Sequence, residues 1–550
     1  MTTQTRPQRP GIVVNTPVNA MTGPYGRRWA ALAVLCLSLL IVVMANTALI
    51  VAAPDMVRDL GLTSTDLQWV IDGYTVPYAA LMLLCGVLGD KYSRRGALLV
   101  GLAVFAGGAI FGSLADSTTA VVAARMIMGV GAATIMPATL SLLVATFPKA
   151  ERARAVAVWA ATTGLAIALG PLLAGMLLEQ FSWHSTFLIN VPISVLAAAG
   201  VLVLVPPSRA DGFGRIDWVG GALSVLAVGL LVYAVIDGFH FGWGTGPVAA
   251  AVGATVALAA FVGWEARHPN PLLEVGKLRE PLVGGSALSV GTLMFVAFGA
   301  IYFVTQQFQF VLGFGPLETG LRLLPLAVAV SAGSMLSSWI SRRFGIRVTI
   351  VVGLLVAGSG VLSTTFVDGT SGYANYVALL VLLGAGIGMA APPATDALMG
   401  SFDEDDLGAA GGLNDTAMEL GGALGIAVLG SVLATGFKDS IAGFLSSLSL
   451  PALTGPQADL VAEAMDAAGD SVGGATLVAE EMTKNPLTSA RAGELTNAAA
   501  EAFADAVVRA SWAGAAALAV GAVVVAIILP RNADRVVTPE NTDEGETGRG

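Results

Sequence analysis

The chain has 550 residues, 55% of them apolar and 12% charged, with a formal net charge of −10. A soluble protein of this length needs several domain surfaces and far more charge to cover them, so a mean hydropathy of +0.77 indicates a polytopic membrane protein. The absence of a basic stripe excludes a nucleic-acid partner. Cys36 and Cys85 fall inside apolar stretches, and His184, His240 and His268 are scattered. No metal site and no cofactor are expected.

Residues 1–28 are polar and Pro-rich and form an expected cytoplasmic tail. A spanning helix needs about 20 mostly apolar residues. By that rule the spans fall near 29–53, 67–89, 96–115, 118–145, 155–179 and 186–206, then 217–236 and 247–265. They continue near 283–310, 319–340, 347–366, 376–400, 408–435 and 506–529, fourteen in all. An even number puts both termini on one side. With that side cytoplasmic, 21 of the 28 Lys and Arg lie on it, as the positive-inside rule requires. The spans group as an N-terminal six-helix bundle (29–206), an inserted pair (207–265) and a C-terminal six-helix bundle (266–529), with a cytoplasmic tail at 530–550. The stretch 436–505 reads as a long outer loop, carrying ten acids against three bases. In it QADLVAEAMDAA has the period of a short amphipathic helix. The default reading is a solvated loop; the sharper one is a surface for an envelope partner or for attracting cations.

Several charges and breaks stand out along the chain. In the first span Asn46 precedes Pro54 by eight positions. Asp72 lies about a turn into the second span, at a depth that would let it pair with Arg125 of the fourth. Between the second and third spans stands GVLGDKYSRR, with Gly86, Asp90, Lys91, Arg94 and Arg95 in one tight turn. In RMIMGVGAA, small residues follow Arg125 and suit close helix packing. Gly170-Pro171 interrupts the hydrogen-bond ladder of the fifth span and should kink it. Gln306, Gln307 and Gln309, with Phe310, give the ninth span a polar, potentially cavity-lining stretch. In the thirteenth, Asp415 and Glu419 are one turn apart on one helix face. Two acids so placed cannot cheaply both ionise in a low dielectric, so one should hold a proton near neutral pH. Asn414 and Asp415 could instead cap the start of that helix.

The pattern Gly-x-Leu-x-Asp-Lys/Arg-x-x-Arg-Arg after a second span resembles the signature of the major facilitator superfamily, with Ser93 where Gly is usual. SRRFGIR, Ser341 to Arg347, is a degenerate repeat of it after the second span of the C-terminal group, without the acid. Fourteen spans, RMIMGVGAA, the Gly170-Pro171 stretch and FSWHSTFLINVP are similar to the drug:proton antiporter branch of that family. The departures are Met128, Ala166, Ala174 and His184. The acid this branch often carries about nine positions before Pro54 is replaced by Ala45.

The resemblance implies an all-α fold of two six-helix bundles plus two inserted helices, working by alternating access as a multi-pass protein of the bacterial inner membrane. It implies a proton-coupled exporter of small amphipathic compounds, hence multidrug efflux and antibiotic resistance, with protons and membrane lipid as further partners. Export of an endogenous metabolite or lipid, or a non-transporting receptor or scaffold, are the alternatives; an enzyme is not expected. Proton coupling then falls to Asp72, Arg125, Asp415 and Glu419. Gating falls to Gly86, Asp90, Lys91, Arg94, Arg95, Gly170 and Pro171, and substrate contact to Asn46, Gln306, Gln309 and Phe310.

Overall fold

A computed structural model describes residues 25–530 apart from 63, 211–215, 404–405, 448–455 and 485–487, together with Pro17. All regular structure among the described residues is helical. The first group comprises α1 (Arg28–Leu60), α2 (Ser64–Tyr92), α3 (Arg94–Ser113), α4 (Thr118–Thr146), α5 (Lys149–Leu178), α6 (His184–Leu188) and α7 (Asn190–Leu204). The pair α8 (Trp218–Phe241) and α9 (Thr245–Glu265) follows. The last group comprises α10 (Pro281–Gln306), α11 (Pro316–Arg322), α12 (Leu324–Phe344), α13 (Ile346–Ser363) and α14 (Tyr373–Gly400). It ends with α15 (Leu407–Ser447), α16 (Pro456–Asp470), α17 (Val472–Lys484) and α18 (Ser489–Ile528).

Among the described residues, thirteen helical stretches are long and apolar enough to cross a membrane. In α5 the corresponding apolar stretch is the shorter Leu169–Leu178, at the end of an unbroken 30-residue helix. Pro171 sits inside that helix without ending it. At Gly170 α5 touches α1 so closely that a Cβ there would overlap the Thr47 hydroxyl. The Gly-Pro pair thus serves close packing within a continuous helix. The sixth and tenth expected spans are each divided, into α6 with α7 and α11 with α12.

Two apolar cores account for the two groups. One is built mainly from α1 to α7 around Leu39, Phe105, Leu140 and Trp159, and it runs across into the last group through Leu398 of α14 and Ala409 of α15. The other is built from α10 to α18 around Phe303, Phe308, Leu354 and Phe503. Within each group small residues let helices approach: Gly101 and Gly131 meet between α3 and α4, and Gly353 and Gly386 between α13 and α14. The groups meet along a seam where α2 packs on α15 and α5 on α11, α12 and α14. The inserted helix α8 touches both α2 and α15.

The stretch 436–505 departs from the loop expected there. Helix α15 continues to Ser447 and α18 already begins at Ser489, so each has 40 or 41 residues. At 1.5 Å per residue each is about 60 Å long, twice the ~30 Å hydrocarbon thickness. Their projecting ends, with α16 and α17, enclose Phe437, Ile441, Ala468, Val472, Ala475, Leu495 and Phe503 in one apolar core. The acids whose side chains are described stay outside, and three of them form surface pairs, Lys438 with Asp470 at 3.0 Å, Arg509 with Asp439 at 3.2 Å and Lys484 with Glu481 at 2.5 Å. This is a helical cap over the second group.

Candidate functional site

The turn between α2 and α3 is a single residue, Ser93, in extended conformation. Its hydroxyl accepts the Gly96 amide at 2.9 Å and so caps α3, which accounts for a serine where the resembling motif has glycine. Asp90, wholly buried, accepts Arg94 Nε on Oδ1 at 2.6 Å. Its Oδ2 accepts the backbone amides of Gly408 and, at 3.3 Å, Ala409, at the start of α15 in the other group. A carboxylate there meets unpaired helix N–H groups and the positive end of the dipole. The segment after α7 straps the turn: Arg94 Nη1 donates to Ser208 Oγ at 3.0 Å and Arg95 Nη2 to the Leu202 carbonyl at 2.9 Å. The Ala210 amide donates to the Asp90 carbonyl at 2.9 Å. Lys91 is half-buried, its ammonium 5.8 Å from the Tyr92 ring centroid. Gly86 lies against Gly408 so tightly that a Cβ on either would overlap the other's carbonyl oxygen. The repeat Ser341–Arg347 turns at Gly345 without an acid, so this lock is one-sided.

Deeper in the same seam lies a buried polar chain. Arg125 is 1% exposed, and its Nε donates to the Val70 carbonyl at 3.1 Å and its Nη2 to Asn46 Oδ1 at 3.0 Å. Nη1 points to the Ala45 carbonyl at 3.5 Å, and the guanidinium lies 4.3 Å from the Tyr74 ring centroid. Ala45 therefore contributes a backbone oxygen where the resembling branch has an acid, and Asn46 is a partner of the arginine. Asp72 lies one turn of α2 from this group; its side chain falls outside the described residues. The Tyr74 ring is 5.4 Å from that of Tyr78 on the next turn. The Tyr78 hydroxyl and the Glu419 carboxyl interact electrostatically, across the seam on α15. Glu419 feels the charge of Asp415 one turn away, and Asp415 is fully buried. Asn414 Nδ2 donates to Asp415 Oδ1 at 3.0 Å, and Thr395 Oγ1 of α14 donates to Asn414 Oδ1 at 3.0 Å. Asp415 Oδ2 has no hydrogen-bond partner among the described residues. Because α15 starts at Leu407, Asn414 and Asp415 lie two turns inside it and do not cap it.

Tyr74, Tyr78 and Thr395 are missing from the sequence reading, and Asn414 enters it only as a cap candidate. Their signal was present: Tyr74 and Tyr78 are four apart, one stripe of α2, and connect Arg125 to Glu419. Asp396, on α14, lies in the electrostatic field of Arg152 on α5, across the seam.

The polar residues of the ninth span lie elsewhere. Gln306 lies one turn of α10 from Tyr302, whose hydroxyl it influences electrostatically. Gln307–Val311 form a π-turn that contains Gln309, which is half-buried, and the fully buried Gln307. Phe310 sits under the cap, its ring against Gly473 and its carbonyl accepting Thr476 Oγ1 at 3.3 Å.

The Major Facilitator Superfamily model matches residues 35–426. The tetracenomycin C resistance and export protein of Streptomyces glaucescens is 32% identical over 85% of this chain and 86% of its own length. The multidrug efflux pump LfrA of Mycolicibacterium smegmatis is 34% identical over 87% and 91%, and the methyl viologen resistance protein SmvA of Salmonella typhimurium 30% over 81% and 89%. Among solved structures, a bacterial homologue of the lysosomal transporter Spinster superposes with a TM-score of 0.55 at 17% identity, covering 94% of this chain and all of its own. The human organic anion transporter MFSD10 gives 0.54 at 16%, covering 74% and 93%. A signature turn locked across two helical groups, the family match over most of the length and these full-length relatives agree: this multi-pass membrane protein belongs to the Major Facilitator Superfamily and is a transporter rather than an enzyme.

Proposed function

We propose that the protein exports small amphipathic compounds from the bacterial cytoplasm in exchange for protons, with both termini and the Gly86–Arg95 turn on the cytoplasmic side. The observation that carries this reading is the buried chain from Arg125 through Tyr74 and Tyr78 to Glu419 and Asp415. It crosses the seam between the two groups, so a change of charge at Glu419 is felt by contacts that exist only while the groups are together at that level. A carboxylate at Glu419 would attract the Tyr78 hydroxyl; a proton on it would remove that charge next to Asp415 and weaken the tie between α2 and α15. Asp72 and Arg125 would pass that change to α1 and α4. Gly86, Asp90, Lys91, Arg94, Arg95, Gly170 and Pro171 would form the moving inner gate. Gln306, Gln309, Phe310 and Asn46 are proposed to meet substrate, Asn46 in alternation with its bond to Arg125.

The printed names of the relatives, which mention tetracenomycin C, methyl viologen and multidrug efflux, support an apolar or amphipathic cargo. The cap would present a rigid acidic face to an envelope partner. The test is dye efflux from proteoliposomes with an imposed pH gradient, comparing wild type with Glu419→Gln. The variant should lose proton-driven efflux while still binding dye; full proton-driven efflux by the variant refutes the assignment.

A further inference from the structure

The inserted pair of helices begins and ends on two buried carboxylates that the transport reading does not use. Asp217 caps α8: its Oδ1 accepts the Gly220 amide at 2.8 Å, and its Oδ2 accepts Trp264 Nε1 of α9 at 2.7 Å. Glu265, the last residue of α9, is 3% exposed, and its Oε2 accepts the Leu273 amide at 3.3 Å. Its Oε1 is buried and has no hydrogen-bond partner among the described residues. A Cβ on Gly220 would overlap Glu265 Oε1 and sit 2.8 Å from Asp217 Oδ2, so the two carboxylates crowd one point. The first turn of α8 and the Leu273 amide offset one negative charge there, not two. A proton on Glu265 Oε1 that donates to Asp217 removes the second charge and satisfies the orphaned oxygen together.

Other charged groups around the pair are few. His268 stacks on Trp264, with ring centroids 5.6 Å apart, and brings Nδ1 to 3.4 Å from Asp217 Oδ2. Arg267 turns back to the Gly263 carbonyl at 2.7 Å, and Lys277 lies with Glu274 and Asp403.

The segments that flank the inserted pair reach both sides of the lock at Asp90. Before α8, Ser208 and Ala210 bond the Arg94 side chain and the Asp90 carbonyl. After α9, Leu272 and Leu273 are buried in the same apolar core as Phe402 and Leu407. Lys277 stands 4.9 Å from the Phe402 ring centroid and 3.9 Å from Asp403. Both belong to the turn before α15, whose first amides hold Asp90. One bond between Asp217 and Glu265 therefore ties the two segments together beside the lock.

We infer that Glu265 and Asp217 share one proton and act as a cytosolic pH sensor for that lock. With the proton in place, the start of α8 and the end of α9 are joined and the linker from Leu272 to Lys277 is held. When an alkaline cytosol removes it, the two carboxylates repel, part, and release the linker. The pair lies outside the chain from Arg125 to Glu419, so its proton is not the one exchanged for cargo. Only its access from the cytosol rests on the orientation proposed above.

The test is the mobility of a nitroxide on a cysteine at Gly276 of the full-length protein, with Cys36 and Cys85 replaced, in nanodiscs where both faces meet one buffer. A Cβ at Gly276 meets open space, and its φ of −59° suits any residue. With the pair intact, the spectrum should be immobile at pH ~5 and mobile at pH ~9, through a single transition. Glu265→Gln should stay immobile throughout, because its amide donates permanently to Asp217. Asp217→Asn, whose amide donates to an ionised Glu265, should also lose the mobile state, whereas His268→Gln should keep the transition. No transition with the pair intact, the same midpoint in a folded Glu265→Gln or Asp217→Asn, or loss of the transition in His268→Gln would each overturn the inference. A midpoint that moves when sodium replaces potassium would identify a metal cation in place of the proton and overturn it as well. If neither variant of the pair folds, the curve of the intact pair and the sodium comparison still decide. None of these readouts uses efflux, so failure of the transport reading leaves them unaffected.

Discussion

The seam between the two helical groups is closed at both ends, by different chemistry. At the signature end a buried carboxylate bridges Arg94 and two backbone amides of the opposing helix, over a glycine pair with no room for a methyl group. At the far end Gly175 of α5 faces Leu317 of α11, so closely that a methyl added there would lie 3.1 Å from the leucine Cβ. The first closure is charged and directional; the second is a contact between a glycine and an apolar side chain. The charged motif is at one end only, and its degenerate repeat, Ser341 to Arg347, lacks an acid.

Four changes press on that contrast, the strongest first. Gly408→Val drives a side chain into the Gly86 carbonyl and the Asp90 carboxyl, neither of which can move away. Efflux should fall about 100-fold, at the upper end of what overpacking costs. In a background with Cys36 and Cys85 replaced, alkylation of a cysteine at the fully buried Ala410 should become rapid. Slow alkylation would show that the signature end closes without the glycine contact. Asp90→Asn keeps an acceptor but loses the charge, so the same cysteine should react about 10-fold faster, while one at Ala174 should not change. An equal response at both positions would abolish the distinction between the two ends.

Gly175→Ala puts a methyl 3.1 Å from the Leu317 side chain, which can yield, so efflux should change only about two- to fivefold. A loss as large as that of Gly408→Val would mean the far end is latched too. The smallest effect is expected at Asp368, in the turn between α13 and α14. Thr370 and Ser371 hydroxyls and the Thr370 amide donate to its carboxyl and hold it below the usual carboxylate range. A depressed carboxyl stabilises the fold above its unfolded value near ~3.9 and loses that contribution as pH falls through the lower folded value. Asp368→Ala should lower the melting temperature by about 1 °C at pH 7 and less at pH 3, because the group is exposed. A larger deficit at pH 3 than at pH 7 would contradict that sign.

Much of this architecture was legible in the sequence because a bilayer imposes so simple a rule on length and polarity. The one-sided lock could be read from the charge of Asp90 and its absence between Ser341 and Arg347. The cap could not, for a physical reason. Its core is largely alanine, as at Ala468, Ala475, Ala479, Ala499 and Ala502, and alanine beside many acids averages to a polar loop on any hydropathy window. The polar chain was half legible: Glu419 and Asp415 announce themselves as acids in an apolar run. Tyr74 and Tyr78 look like ordinary packing until a partner helix brings Glu419 opposite. Asn46 shows the converse: expected from the sequence to meet substrate, it accepts a hydrogen bond from Arg125.

The length of α15 has a mechanical consequence. Its base, at Gly408, is clasped by the latch, and its tip, about 60 Å away, is part of the cap. A rotation of the second group by ~15°, the size seen in other rigid-body transitions, would swing that tip by roughly 15 Å. The cap is in effect the pointer of a gauge. An antibody or a fluorophore fixed to it would report whether the buried aspartate at the other end of the helix keeps its contacts.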